Sequence, residues 1–186
     1  MTGTLDLFIG DLRWHLEVFD AELAVINTKI AGSLDPESDG FCDRGEYIIG
    51  AGFVAVQKYM AETFRMLKIS QGVALSQGPK LGNGETFANV IWSAGNYWKH
   101  QDEWWENAFE YNAQTLDESY GKKQKTSKQA KNAEILDEFG VFGKDYICAN
   151  VLAVISEDKE FLFQTLLPKL QLWRTDLTRN LDTLQK

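Results

Sequence analysis

An apolar stripe near the start of the chain is the feature that most constrains its fold. Between Leu5 and Ile30, apolar side chains recur at alternating spacings of four and three residues. The stripe consists of Leu5, Ile9, Leu12, Leu16, Phe19, Leu23, Ile26 and Ile30. This spacing matches the turn of an α-helix and predicts one helix of about seven turns with a buried face. Trp14, Val18 and Val25 widen the stripe, which predicts that the helix packs against more than one neighbour.

The next part of the chain repeats this helical pattern, and the alternating β-branched runs that indicate strands are scarce throughout. A second long helix is predicted to begin at Asp43, whose carboxylate caps it while Glu46 completes the capping box. Gly45, Gly50 and Gly52 lie in its first turns. Because glycine has no side chain, these three residues predict a close crossing with another helix.

Shorter segments complete the fold prediction. Residues 71–84 contain four glycines and one proline, which is typical of a loop. A third helix is predicted from about Glu85 to beyond His100. Residues 146–155 form an apolar segment that predicts a buried helix, with a strand as the alternative. Pro168 is predicted to kink the last helix or to mark its restart. We therefore predict an all-α fold: a single helical bundle of about five to seven helices, with two long N-terminal helices and one domain spanning residues 1–186.

The charge of the chain is unevenly distributed. Its 27 acidic and 19 basic residues give a net charge of −8, which argues against tight nonspecific binding to DNA. Residues 122–131 are the exception, because they hold five lysines and no acid. This lysine segment is predicted to be an exposed, mobile linker. Its lysines are either solvated or contact a phosphate group of a ligand.

The sequence favours a cytoplasmic protein without a metal or cofactor. The two cysteines, Cys42 and Cys148, are too few for a disulfide framework and fit a reducing compartment. We find neither a secretory signal nor an apolar run long enough to cross a membrane. The two histidines, His15 and His100, lack the spacing of a zinc site, and His15 is expected to be structural.

The strongest functional signal lies in an aromatic segment. Eight of the 25 residues from Phe87 to Tyr111 are aromatic. On a helix, a polar row would share one face: Asn89, Ser93, Asn96, His100 and Glu103. One interpretation is a solvated face beside core tryptophans. The other is a site in a partly exposed polar cleft, in which His100 titrates near neutrality and Asn96 orients it or a phosphate oxygen.

The order Gly95-Asn96-Tyr97-Trp98-Lys99-His100 resembles the active-site motif of the HEPN (higher eukaryotes and prokaryotes nucleotide-binding) superfamily. That motif is an arginine, often followed by a polar residue such as asparagine, and then a histidine four to six residues past the arginine. Asn96 and His100 match the polar residue and the histidine, while Gly95 stands where the family has its arginine. Members are small all-α bundles with two long leading helices. Many are metal-independent RNases of toxin–antitoxin, abortive-infection and phage-defence systems, in which two subunits form one cleft.

The resemblance implies two functions. The first is a noncatalytic or degenerate HEPN-like binding module, which the glycine at the arginine position and the negative net charge favour. The alternative is a metal-independent endoribonuclease with His100 as general acid and base. The candidate binding residues are Ser93, Asn96 and Lys99, with the aromatic residues Trp92 and Tyr97 beside them. A homodimer is expected, and either RNA or a protein is the expected partner.

Overall fold

The computed structural model describes residues 5–114, 128–156 and 161–184, apart from the side chains of 102–114, 128–130 and 180–184. In this part of the chain the fold is all-α, as predicted, with seven α-helices and no strand. The helices are α1 Ile9–Gly32, α2 Phe41–Met66, α3 Gln71–Leu75, α4 Phe87–Gln114, α5 Lys128–Glu138, α6 Ile147–Ser156 and α7 Leu167–Leu184. A 3₁₀ turn, Phe163–Leu166, precedes α7.

The two long N-terminal helices are confirmed, and α1 packs along α2. Leu16 is fully buried, and Phe19 is half-buried against Phe163, with ring centroids 6.4 Å apart. The prediction that Trp14 and its neighbours widen the buried stripe is wrong. Trp14, Val18 and Val25 are 62%, 51% and 47% exposed, because the described elements that α1 chiefly contacts, α2 and the 3₁₀ turn, lie on its other side.

The start of α1 also differs from the prediction, since Leu5 lies before the helix and is exposed. The cause is Asp6, whose carboxylate accepts hydrogen bonds from the backbone N–H groups of Phe8 and Ile9. The same carboxylate accepts the Tyr59 hydroxyl proton at 2.7 Å and pairs with the Arg174 guanidinium at 3.0 Å. These contacts tie the chain to α2 and α7 before α1 begins.

Two of the three glycines predicted at a close crossing are confirmed in that role. A Cβ at Gly50 would lie 2.1 Å from the Trp98 ring, and one at Gly52 would lie 2.3 Å from the Phe163 ring. Both rings therefore pack directly on the α2 backbone. Gly45 differs, because a Cβ there would meet only Ile26 at an ordinary 3.6 Å.

Two carboxylates from the long helices cap later elements. Glu46 accepts the backbone N–H groups of Cys148 and Ala149 at 2.7 and 2.8 Å, at the start of α6. Asp20 caps the 3₁₀ turn in the same way, because its carboxylate accepts the backbone N–H of Phe163 at 2.7 Å. Burial raises the pKa of both carboxyls, although these hydrogen bonds oppose the rise. The predicted capping box is therefore wrong: α2 begins at Phe41, and Glu46 serves another helix.

The second half of the chain largely follows the pattern read from the sequence. Residues 147–156 form a helix rather than a strand, and Pro168 follows the first residue of α7, so that the last helix restarts there. The segment 71–84 contains the short helix α3, which the loop prediction missed. The last two lysines of the lysine segment, Lys128 and Lys131, belong to α5 and not to a linker, and its residues 122–127 lie outside the described residues. None of the described helices has both the length and the apolar character that a membrane crossing requires.

We predict that Leu16→Ala lowers the free energy of unfolding by about 2 to 5 kcal/mol, because it removes buried contacts and leaves a cavity. Leu172→Ala is the matched control, since Leu172 is 57% exposed on α7 and should change stability by less than about 0.5 kcal/mol. Urea denaturation measures both variants. Equal effects would contradict the assigned orientation of α1.

Candidate functional site

Helix α4 carries every residue of the predicted motif, but it is not one regular helix. His100 has φ −127° and ψ 20°, which breaks the helical geometry at the last motif residue. Lys99 and His100 are exposed at this kink. Partial desolvation of the Lys99 ammonium lowers its pKa below the ordinary value. The regular part of the helix therefore ends at the residue that the sequence predicts to pair with Asn96.

Gly95, at the position of the family's arginine, lies against helix α2. A Cβ at Gly95 would lie 2.5 Å from Cδ of Gln57 and 2.8 Å from both amide heteroatoms. Such distances leave no room for any side chain at this position. The carboxamide of Gln57 occupies the space into which an arginine at position 95 would have to extend.

Gln57 is 4% exposed and is held by two hydrogen bonds to α4. Its Nε2 donates to the Trp92 carbonyl at 2.6 Å and to Asn96 Oδ1 at 3.2 Å. Among the described residues, its Oε1 has no hydrogen-bond partner. The Trp92 carbonyl is an acceptor only, so the amide orientation of Gln57 is determined by that contact. Asn96 is consequently oriented with its oxygen toward α2.

The remaining predicted site residues separate into buried and cleft positions. Ser93 is fully buried and its hydroxyl donates to Asn132 Oδ1 at 3.2 Å. Tyr97 is 8% exposed, and burial, followed by the nearby Cys148 and Glu46, raises its pKa to about 12. Ser93 therefore does not lie on a solvated face, and Tyr97 is not an exposed edge of the predicted cleft. The side chain of Glu103 lies outside the described residues.

A polar cleft opens beside the first half of α4, between that helix, α3 and α5. It has a volume of about 460 Å³, within the range of small-molecule sites. We call it the amide cleft, and the residues used below are Lys80, Asn89, Trp92, Asn96, Lys131 and Asn132. Two predicted site residues, Asn96 and Trp92, line it, whereas Ser93, Tyr97, Lys99 and His100 do not.

The walls of the amide cleft are positioned by local hydrogen bonds. Ser70 caps α3 by accepting the Val73 N–H. Thr86 accepts the Asn89 N–H at 3.2 Å at the start of α4, and its hydroxyl donates to the Leu75 carbonyl of α3. The hydroxyl of Thr86 therefore fixes α3 against α4 at one end of the cleft.

The amide groups of the cleft have a defined donor pattern. Asn96 and Asn132 each use the side-chain oxygen as an acceptor, from Gln57 and Ser93 respectively. The side-chain nitrogens of both donate to no group within the described residues. Asn89 has the opposite arrangement, because its Nδ2 donates to the Glu85 carboxylate at 2.9 Å. Asn96 and Asn132 therefore supply N–H donors to the cleft, and Asn89 supplies an acceptor.

The charge of the cleft is opposite to that of the whole chain. Lys80 and Lys131 line it together with one acid, Glu85, whereas the chain as a whole has a net charge of −8. Trp92 adds an aromatic wall and packs on Phe64 with ring centroids 5.9 Å apart. Ammonium and amide donors beside an indole ring suit an anionic ligand with a flat, acceptor-bearing group.

No family model matches the chain, and no curated protein or solved structure shows similarity to it. Within the part of the chain that the structure describes, no group of three or more His, Cys, Asp or Glu residues is placed to hold a metal ion.

The sequence reading missed Gln57, Lys80 and Asn132 as parts of the site. A signal for Gln57 was present, because it lies four residues after Phe53 and three before Met60, a spacing that places the three side chains on one face of a helix. A polar residue between apolar residues on one helix face indicates a buried hydrogen bond to another element. Lys80 and Asn132 lie in a predicted loop and a short helix, and nothing in their local patterns places them beside α4.

We predict that Gly95→Ala lowers the free energy of unfolding by about 1 to 3 kcal/mol, because its methyl group overlaps the Gln57 carboxamide. Gly72→Ala in α3 is the control, since a Cβ there meets nothing within 4 Å. Adding Gln57→Ala to Gly95→Ala should recover part of the loss. Strict additivity of the two changes in thermal or urea unfolding would contradict the contact as its cause.

Proposed function

We propose that this protein is a noncatalytic, HEPN-like binding module whose amide cleft binds a nucleotide. The observation that carries the proposal is the pair of outward N–H donors on Asn96 and Asn132, in a cleft that also holds two lysines. Buried partners on α2 and α4 fix the orientation of both amides. A rigid donor set of this kind favours a ligand with fixed acceptors.

The noncatalytic part of the proposal rests on position 95. In the resembling family, an arginine at this position would stabilise charge on the scissile phosphate. Here the Gln57 carboxamide fills that space, with its Cδ 2.5 Å from where a Cβ would lie. His100 lies at the α4 kink and does not line the amide cleft. The proposal therefore assigns ligand binding to the amide cleft and no catalytic role to His100.

The ligand class follows from the groups that line the cleft. Lys80 and Lys131 would contact the phosphate, because ammonium groups form charge-assisted hydrogen bonds with phosphate oxygens. The N–H donors of Asn96 and Asn132 would contact carbonyl or ring-nitrogen acceptors on the base edge. Trp92 would supply the apolar contact to the ring. A cleft of about 460 Å³ matches a ligand of nucleotide size rather than a folded macromolecule.

The setting of this function is also part of the proposal. Low cysteine usage favours a reducing cytoplasm, and the resemblance suggests a role in bacterial defence or a toxin–antitoxin pair. A nucleotide in the cleft could be free or could be the exposed end of an RNA.

The alternative function, a metal-independent endoribonuclease, has one observation in its favour. His100 and Lys99 are both exposed at the α4 kink, where an RNA backbone could reach them. Cleavage would then use His100 as general acid and base. RNA cleavage by the wild-type protein that His100→Ala abolishes would support this alternative against the binding module.

The binding proposal predicts that Asn96→Asp weakens the affinity for 5′-mononucleotides by about tenfold or more. The carboxylate still accepts from Gln57, but it removes the N–H donors and places a negative charge in the cleft. Lys131→Ala should weaken binding as well, and this loss should shrink at high salt. Isothermal titration calorimetry with 5′-AMP, 5′-GMP, 5′-CMP and 5′-UMP measures these affinities.

The matched control is Asn27→Asp, which makes the same chemical change on α1, away from the cleft. It should leave nucleotide affinity within about twofold of wild type. Wild-type protein that binds none of the four mononucleotides would contradict the proposal, as would equal weakening by Asn27→Asp and Asn96→Asp.

A further inference from the structure

Helix α1 has a second apolar stripe that faces away from α2. Trp14, Val18 and Val25 are 62%, 51% and 47% exposed, and Ala21 between them is exposed as well. These four residues follow spacings of four, three and four, so they form one line on the helix surface. Large apolar side chains that are exposed side by side, and not scattered singly, are typical of an interaction surface.

We propose that this stripe is the contact surface for a second copy of the same chain, packed antiparallel along α1. In the best register, Trp14 packs against Val25 of the partner subunit and Val18 packs against Ala21 of the partner subunit. Each layer then pairs a larger side chain with a smaller one, which allows close packing along the seam. The two-fold axis repeats every contact, as an isologous interface requires.

Charge decides between the antiparallel and the parallel orientation. A parallel pair would place Asp11 beside Asp11 of the partner subunit and Glu17 beside Glu22 of the partner subunit, so like charges would repel. The antiparallel register instead brings Asp11 near Lys29 of the partner subunit. It also brings His15 near Glu22 of the partner subunit. Asp11, His15, Glu17 and Glu22 are exposed. Lys29 is exposed as well, and its ammonium reaches over the Phe41 ring.

The length of the helix is sufficient for such a pair. The 24 residues of α1 span about 36 Å, which accommodates about three heptads. This inference stands on α1 alone and does not depend on the amide cleft, which lies between α3, α4 and α5.

Sedimentation velocity over a range of protein concentrations tests the dimer. The wild type should reach twice the mass of the 21.1 kDa chain, and Trp14→Glu should remain a monomer. Leu172→Glu is the matched control: Leu172 is 57% exposed on α7, so this variant should dimerise like the wild type. Circular dichroism verifies that the helical content of both variants is unchanged.

Disulfide crosslinking tests the orientation in a Cys42→Ser background. A mixture of the Asp11→Cys and Thr28→Cys proteins should crosslink, because these positions face each other in the antiparallel register, whereas Asp11→Cys alone should not. Crosslinking of Asp11→Cys with itself would overturn the antiparallel arrangement. A wild type that stays monomeric, including one whose α1 face binds a different protein or lipid vesicles, would overturn the dimer, as would a Trp14→Glu protein that still dimerises.

Discussion

The contact between the Gln57 carboxamide and the backbone of Gly95 is the constraint on which the candidate site depends. It brings α2 and α4 to a separation at which a side chain at position 95 does not fit. The same carboxamide donates to Trp92 and Asn96. The Gln57 side chain therefore contributes both to the close packing of α2 on α4 and to the orientation of the Asn96 amide. These two hydrogen bonds connect α2 to the first half of α4, while the Gln57 Oε1 has no partner among the described residues.

The sequence allowed the helical class, the two long helices and the restart at Pro168 to be predicted, because each depends on local periodicity or on proline geometry. Periodicity does not identify which of two apolar stripes is buried. Trp14 therefore entered the predicted core, although it is exposed. Glu46 was assigned to its own helix because capping patterns are read locally, whereas its carboxylate binds the start of α6. Long-range pairings of this kind depend on the tertiary arrangement.

For the candidate site, the sequence pointed to one face of α4, whereas the amide cleft lies between α3, α4 and α5. Asn96 and Trp92 line the amide cleft, while His100 lies at a backbone kink that regular helical spacing does not anticipate. The partners of Asn96 come from elsewhere in the chain, with Gln57 on α2 and Lys131 and Asn132 on α5. A motif read along one helix contains no information about these elements. Of the two cleft lysines, Lys131 belongs to the lysine segment that stands out in the sequence, whereas Lys80 lies in a predicted loop.

The central claim is that Asn96 and Asn132 direct their N–H donors at a nucleotide. NMR of the side-chain amide groups during a titration with 5′-AMP measures this most directly, because each Asn NH₂ gives its own pair of signals. The account predicts saturable shifts for Asn96 and Asn132, with no change at Asn27. Shifts confined to His100 and its neighbours at the α4 kink, with both cleft amides unchanged, would contradict it.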